Sequence, residues 1–563
     1  MTDAGIGAPH RIRFAPGAVR APQPTGTRSY SEDPDMSSPS AALGRRTFLR
    51  GAGAAALAVA GGGALASCTS AVRELDAAGD DATPVHGGTL KVGTPWDIVP
   101  ANLLTNTATM PALVGLVYET LVRYPHDRLE PQPLLAKSWS LALDGLSLAL
   151  DLRDDVTFHS GRPFTSADVE FSLRTYADPK WTAQLKSTAA AVTGFDTSAP
   201  HRVVLTFAHP LGNIFDLLNT APMLDRDTLD RAAVGEEFVG TGPFRLTERI
   251  PNSRLVFERN ERYWVPDRPY LDGVQLSIIP DSQAQLNSLR SGQVGLAHGL
   301  NSRDIENLAK RAGFKSITYD GAELQVYVGV NVRNPALADV RLRQAIAYAI
   351  DRERIITEIF RGAGYPLNVP WPKTSPAYDE GRNTRFARNP DRARELMAQL
   401  GKPPEIPLTY NVTLPVYAAT AQIVQANLAE IGIDVTLDPT DDATFVKKLI
   451  GGQFPGLWVT DHSWAQYTPS TLNVSAYPFN ARKNASNYES PAYVAAADAA
   501  WRRADGTGPG AVAAYRDVSD RLLEGLFLIE IGARLLQAAA SKRVHGVNWT
   551  RSRETLLTEA FLS

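Results

Sequence analysis

The sequence predicts a multidomain α/β protein whose folded part begins near residue 87. Three observations carry this. Past that point, short runs that alternate apolar and polar residues trade places with runs of helical spacing. Beyond residue 67 the chain is roughly 500 residues long, more than a single hydrophobic core usually serves, so two or three domains are expected. The composition, 44% hydrophobic and 21% charged with a net charge of −3, is that of an ordinary globular body. It carries no basic stripe past the N-terminal region, which speaks against a nucleic-acid partner.

The N-terminal region reads as an export and anchoring device. Arg45-Arg46-Thr47-Phe48-Leu49-Arg50 has the form of a twin-arginine export signal, with Arg45 and Arg46 as its charged pair. The apolar run Gly51 to Ala66 follows. It falls short of the roughly 20 residues that span a bilayer, so it suits a signal-peptide core rather than a membrane helix. Leu65-Ala66-Ser67-Cys68 is a lipoprotein cleavage box, and Cys68, the sole cysteine, is the expected lipidation site. A lone cysteine is otherwise most often a small buried hydrophobe. No disulfide within the chain is then possible, so packing alone must hold the exported fold. Gly51-Ala52-Gly53-Ala54-Ala55-Ala56 matches a loose dinucleotide fingerprint, but arginines precede it rather than a strand. Residues 1–43 are expected to be a disordered leader, with Met36 a candidate true start. Residues 44–67 form the signal peptide. Residues 68–86 are a lipidated flexible linker, polar and small from Thr69 to Val85.

Local patterns place the elements in order. Thr89 to Val92 alternates like a strand, and Met110 to Val122 has the spacing of a helix. Leu141 to Leu152 alternates across Asp144-Gly145, a hairpin signal. Thr165 is the expected N-cap of a helix beginning Ser166-Ala167-Asp168, and His201 to Phe207 is strand-like. Asp339 caps a helix with Leu342, Ala345, Ile346, Ala349 and Ile350 on one face. Asn389-Pro390 opens another, which Gly401 ends. Ile406 to Val412, a helix near Val416–Ile431, and Ile433 to Leu437 make a βαβ unit with parallel strands.

An ordered set of motifs runs through this framework: Ala136-Lys137-Ser138-Trp139; Leu152-Arg153-Asp154-Asp155-Val156-Thr157-Phe158-His159-Ser160-Gly161-Arg162-Pro163-Phe164; Gly240-Thr241-Gly242-Pro243-Phe244; Asn260-Glu261-Arg262-Tyr263-Trp264; Tyr270-Leu271-Asp272-Gly273-Val274; Val340-Arg341-Leu342-Arg343-Gln344-Ala345-Ile346; and Leu428-Ala429-Glu430-Ile431-Gly432-Ile433. In this order, over roughly Gly87 to Val547, the chain resembles the family 5 extracellular solute-binding proteins, the peptide, oligopeptide and nickel receptors of ABC importers. The resemblance implies an α/β, two-lobed periplasmic-binding-protein-like fold (type II, cluster C) with an extra inserted domain in the first lobe. The first lobe would comprise 87–125, 236–325 and 531–563, the inserted domain 126–235, and the second lobe 326–530. It also implies a ligand held between the lobes, delivery to an ABC permease with its own ATPase, an extracytoplasmic location, and no cofactor.

Most of these motifs read as architecture. Gly240, Gly242 and Pro243 suit a tight turn, and Asp168 in a first helical turn complements the helix dipole. Asp154, Asp155 and Asp168 are poor candidates for acid–base work. His159 has no second histidine or cysteine at metal-ligand spacing, and the remaining histidines are scattered. The segment singled out for ligand binding is Leu457 to Pro469, with Trp458, Asp461, Trp464, Gln466 and Tyr467 as candidates. The resemblance implies an aspartate just before the tyrosine, receiving a peptide's ammonium group; here Gln466 stands there, and an amide makes a weaker, neutral bond. Asp461 is the nearest alternative carboxylate. Trp371 and Tyr378, in a proline-rich loop, are further candidates; for all the aromatics core packing is the competing reading. No GxSxG or HExxH motif and no P-loop is present, so a binding protein is expected rather than an enzyme. A lipid-tethered hydrolase and a ligand sensor of the same fold are the alternatives. The expected partners are a small-molecule or peptide ligand, the permease and its ATPase, and the membrane through the lipid alone, with the protein acting as a monomer.

Overall fold

The computed structural model describes residues 82–105 and 109–563. The expectations placed on Arg45, Arg46, Met36, the Gly51–Ala66 run and Cys68 lie outside the described residues, as does most of the Thr69–Val85 linker.

The first lobe opens with β1 (Thr89–Thr94), which buries Leu90 and Val92. A short helix, α1 (Thr109–Leu113), follows. The apolar spacing predicts that this helix continues to Val122, but it stops at Leu113. Gly115 takes a φ of +87°, and the next residues are claimed by a distant backbone. The Gly242 N–H donates to Val117 O at 2.9 Å and the Phe244 N–H to Leu116 O at 2.9 Å. A Cβ on Gly240 would lie 2.0 Å from Val117 O, and one on Gly242 2.4 Å from Leu116 O. The glycines of the Gly240–Phe244 motif therefore serve close backbone approach. Residues 116–122 are buried on every side, and a fully buried run cannot be assigned by periodicity.

The inserted domain is built on a four-stranded antiparallel sheet. β2 (Ala136–Leu141) and β3 (Ser147–Leu152) form the expected hairpin, with Gly145 at φ +71° in its turn. β4 (Val192–Ala199) and β5 (Arg202–Phe207) complete the order β2-β3-β5-β4. Between them, α2 (Ser166–Ala177) starts at a capping box formed by Thr165 and Asp168. Asp168 is fully buried and pairs with Arg162 at 2.8 Å. The His159 ring meets Gly242 O at 3.0 Å and the Gly240 N–H at 3.4 Å. Burial pushes its imidazole down to about 4, so at neutral pH it is an uncharged strut between the inserted domain and the glycine motif. α3 (Ile214–Thr220) makes one of the domain's contacts with the second lobe, its Asp216 accepting from the Thr468 N–H.

The chain returns through β6 (Phe244–Ile250), β7 (Arg254–Arg259), β8 (Gly273–Ile278) and β9 (Leu296–His298) to the 17-residue strand β10 (Phe314–Val330). The second lobe then runs α4 (Val340–Ala349), β11 (Gly364–Pro366), α5 (Pro390–Leu400), β12 (Ile406–Asn411), α6 (Pro415–Ala429), β13 (Val435–Thr440), α7 (Asp442–Gly451) and β14 (Leu457–His462). α8 (Pro469–Ser475), α9 (Pro491–Trp501) and α10 (Pro509–Gly525) precede the long strand β15 (Leu528–Ser541). Asp339 and Asn389 cap α4 and α5 as expected, and β12 and β13 pair in parallel across α6.

One 11-stranded sheet joins the lobes in the order β13-β12-β14-β10-β15-β9-β1-β8-β7-β6, with β11 beside β15. Strands β10 and β15 pass through both lobes. Their pairing runs from Phe314↔Ser541 to Tyr319↔Leu536, breaks, and resumes from Leu324↔Arg534 to Gly329↔Leu528. Gly321 lies inside the break at φ +75°, and a Cβ there would sit 1.7 Å from His126 O. Two large apolar cores flank this break. One packs residues from Leu90 to Ala322 with Ala538–Ala560; the other packs Val326 to Ile531. Among the described residues no helix is long and apolar enough to cross a membrane.

Candidate functional site

The lobes meet where β14 ends. Strand alternation divides its last residues between two faces. His462 points toward Tyr327, Phe479 and Glu530, with the imidazole 3.5 Å from the Glu530 carboxylate in the interior of the second lobe. Asp461 points the other way. It accepts a hydrogen bond from the Tyr417 hydroxyl at 2.9 Å and one from Arg534 at 3.2 Å. Burial, reinforced by the Asp461 charge, holds the Tyr417 phenol well above its ordinary pKa.

The chain then turns through Ser463 and the single 3₁₀ turn Trp464–Gln466. Trp464, partly buried, packs against the apolar cores of both lobes. Tyr467 is 1% exposed and belongs to the first core, with the Thr220 hydroxyl donating to its oxygen at 3.4 Å. Gln466 is also 1% exposed. Its amide N–H₂ donates to Glu323 O at 2.6 Å and to the Glu323 carboxylate at 3.2 Å, while its carbonyl Oε1 is buried without a hydrogen-bond partner. The other carboxylate oxygen of Glu323 accepts from the Tyr365 hydroxyl at 3.4 Å. A carboxylate thus stands directly behind the amide that occupies the expected aspartate position.

Three arginines complete the junction. Arg551, 1% exposed, donates to Gln466 O at 3.1 Å, to His126 O at 3.2 Å and to the Thr374 hydroxyl at 3.5 Å, tying pieces of both lobes together. Burial pushes its guanidinium pKa down, and Glu323 opposes that shift. Arg553, at φ +72° in the next turn, donates to the Ser463 hydroxyl at 3.2 Å. Burial lowers its pKa as well, with Asp461 the leading opposing charge. Arg534 on β15 is the third. Below them, Asp216 of α3 is fully buried and accepts from the Thr468 N–H, the Thr468 and Thr471 hydroxyls and the Tyr124 hydroxyl.

The structure therefore gathers Asp461, Trp464, Gln466 and Tyr467 at one junction. Trp458 and Trp371 lie elsewhere. Trp458 shares a face of β14 with His462 and is fully buried, stacked on Phe454 at 4.3 Å. Trp371 is fully buried in the second core, its indole N–H donating to the Ser519 hydroxyl at 2.8 Å. Both are amphipathic residues used as core. Tyr378 is partly buried, its hydroxyl donating to Glu380 at 2.5 Å within its own loop. Sequence reasoning missed Glu323, Tyr365, Tyr417, Arg534, Arg551 and Arg553. They come from segments far apart in the chain, and only the Arg551-Ser552-Arg553 pair offered a local sign. Among the described residues no group of three or more His, Cys, Asp or Glu side chains could hold a metal ion. The junction offers guanidinium donors, carboxylate and amide acceptors, and an indole wall: equipment for holding a polar solute.

A polar junction closed between two α/β lobes that share continuous strands is the architecture of a two-lobed periplasmic-type binding protein. The model for bacterial extracellular solute-binding proteins, family 5, matches residues 130–486, and the chain belongs to that family. It is a substrate-binding protein of the kind that serves ABC transporters, not an enzyme, and family 5 proteins act outside the cytoplasm. A probable di/tripeptide-binding protein of Pseudomonas aeruginosa is 27% identical over 420 residues, 68% of this chain and 78% of that protein. Heme-binding protein A of Haemophilus influenzae is 25% identical, over 60% of this chain and 67% of that protein. Among solved structures, the Agrobacterium binding protein AgaA in complex with agropinic acid superposes with a TM-score of 0.74 at 24% identity, over 84% of this chain and 99% of that one. NikA of Brucella suis, in complex with Fe(III)-EDTA, gives 0.75 at 22% identity, over 84% and 100%.

Proposed function

We propose that this chain is the extracytoplasmic substrate-binding lipoprotein of an ABC importer, anchored through Cys68 after twin-arginine export. As a monomer, it captures a peptide-like or other small polar solute between its lobes. The solute bridges both lobes and favours their closed arrangement, and closure builds the surface that the permease reads. Transport energy comes from the permease's separate ATPase. The observation that carries the reading is the convergence of Trp464, Gln466 and Asp461 with Arg534, Arg551 and Arg553 at the meeting of two lobes hinged on β10 and β15. The names of the relatives support a small polar cargo and leave its identity open, since they include peptides and haem. Gln466 in place of an acidic residue argues against simple copying of an α-peptide site.

The test is mass spectrometry of small molecules released when the purified protein is denatured, with small-angle scattering on the loaded and stripped forms. A released solute that compacts the stripped protein on re-addition supports the reading. A solute that binds at saturation with no compaction removes the hinge account.

A further inference from the structure

We infer that the contact between the inserted domain and the second lobe is a clasp for the closed arrangement, made by Asp216 and Asn213 apart from the solute, and that it grips more firmly in acid. The inference rests on the hinged reading above and adds positioning residues that touch no solute.

The clasp is a buried polar contact that crosses the hinge. The inserted domain shares its apolar core with the first lobe, whereas Thr468, Thr471 and Trp501 belong to the second lobe, on the far side of β10 and β15. The Thr468 N–H and hydroxyl each donate to Asp216 at 3.0 Å, and the Thr471 hydroxyl donates at 2.6 Å. Asn213 donates to the Thr471 hydroxyl at 2.8 Å and accepts from the Trp501 indole at 2.8 Å. The Gly212 N–H donates to Trp501 O at 3.0 Å, and a Cβ on Gly506 would lie 1.9 Å from Gly212 O, so the two backbones touch. Asp216, Asn213, Thr468 and Thr471 are all buried. Tyr124 and Thr188 complete the set, so every side-chain polar atom of Asp216 and Asn213 is partnered within the protein and none is left for a solute. Lobes that part about β10 and β15 draw Thr468, Thr471 and Trp501 away and admit water. Each bond adds little net stability, but the whole set forms only on closure and so weights the closed form.

Acid strengthens the clasp because Asp216 changes surroundings with it. In the closed arrangement burial pushes its carboxyl up to about 6; opened to water, it returns toward 3.8. Tyr124, Tyr515 on α10 and Arg551 in the C-terminal segment are the titratable groups that face it. Arg551 is the one cation among them. Its charge favours the carboxylate, but burial outweighs it. The closed form therefore binds the proton more tightly than the open one, so closure gains as pH falls through about 6, and the gain is complete below about 3.8. The Thr468 and Thr471 hydroxyls can turn from donating to accepting, so the protonated carboxyl keeps its partners.

The experiment is hydrogen–deuterium exchange of the solute-stripped protein at pH 5, 6 and 7, each rate divided by that of an unstructured amide at the same pH. The native protein, Asp216→Asn and Thr471→Val are compared. In the native protein the amides of residues 212–216 and 468–471 should exchange faster than those of β12 and β13, which open only with global unfolding. Their protection should rise about tenfold from pH 7 to pH 5. Asp216→Asn should show no such rise. Thr471→Val keeps the carboxyl and loses one donor, so its clasp should open about threefold or more as often and keep the rise. Clasp amides that exchange no faster than β12 and β13 would make the contact permanent and overturn the clasp. A native rise that is absent, or that survives in Asp216→Asn, overturns the role of Asp216. Should Asp216→Asn fail to fold, the native protein and Thr471→Val decide. The solute-binding reading is judged separately, by the released solute and the scattering described above, so the two failures are told apart.

Discussion

Asp216, in the inserted domain, caps the first turn of a second-lobe helix: its carboxylate accepts from the Thr468 N–H at 3.0 Å and from the Thr468 hydroxyl at 3.0 Å. The Thr471 and Tyr124 hydroxyls complete its shell. Four donors satisfy the group, yet its complete burial pushes the carboxyl up to about 6 against an ordinary 3.8. Arg551 and Tyr515 are the other titratable side chains that feel its charge.

This has a definite pH consequence. The folded state binds the Asp216 proton more tightly than the unfolded chain. The group's contribution is therefore complete below about 3.8 and is lost as pH rises through about 6. Between pH 7 and pH 4 the contribution grows by about 2 kcal/mol. Urea unfolding of the native protein and Asp216→Asn across that range should show the difference between them shifting by this amount in favour of the native protein as pH falls. A difference that stays constant with pH would refute the assignment.

Gly321 and Gly362 offer a matched pair. Both have positive φ, +75° and +77°, but a Cβ at 362 meets nothing within 4 Å, whereas at 321 it meets the His126 carbonyl at 1.7 Å. Gly362→Ala should cost about 1 kcal/mol, the strain of left-handed backbone alone. Gly321→Ala should cost about 3 kcal/mol or more, because a backbone atom has to move. Equal unfolding midpoints for the two variants would show that the hinge yields freely.

Trp458 and Trp464 should respond in opposite ways. Trp458→Ala empties a fully buried site stacked on Phe454 and should lose about 3–5 kcal/mol of stability. Trp464→Ala should weaken solute binding with a much smaller fall in melting temperature. Comparable falls for both, with affinity intact in Trp464→Ala, would assign Trp464 to packing.

Cys68→Ala removes the proposed lipid attachment and leaves the lobes untouched. The variant should bind solute as well as the native protein in calorimetry, appear in the soluble rather than the membrane fraction, and support uptake poorly. Retention in the membrane fraction would require a different anchor.

The secondary structure was legible wherever one face of an element meets solvent or a cap is explicit. The Asp144-Gly145 hairpin, the Thr165 capping box, α5 between Asn389 and Gly401, and the β12-α6-β13 unit all formed as their residues predict. Residues 114–122 were misread, because burial on all sides erases the polar half of the pattern from which a helix or strand is recognised. Composition singles out the Leu457–Pro469 segment as a candidate but does not sort its indoles. Trp458 and Trp464 differ in placement through strand parity and a turn, neither of which their composition reveals.

By itself the sequence determined the α/β class, the family and the elements marked by caps or clean alternation, since these follow from local periodicity, caps and motifs that keep their order along the chain. Only the tertiary structure assembled the candidate site. Glu323, Gln466, Arg534, Arg551 and Arg553 meet because two long strands cross both lobes and the C-terminal segment folds back between them. Hydrogen bonds and charges act over a few ångströms in space, and separation along the chain carries no record of that distance.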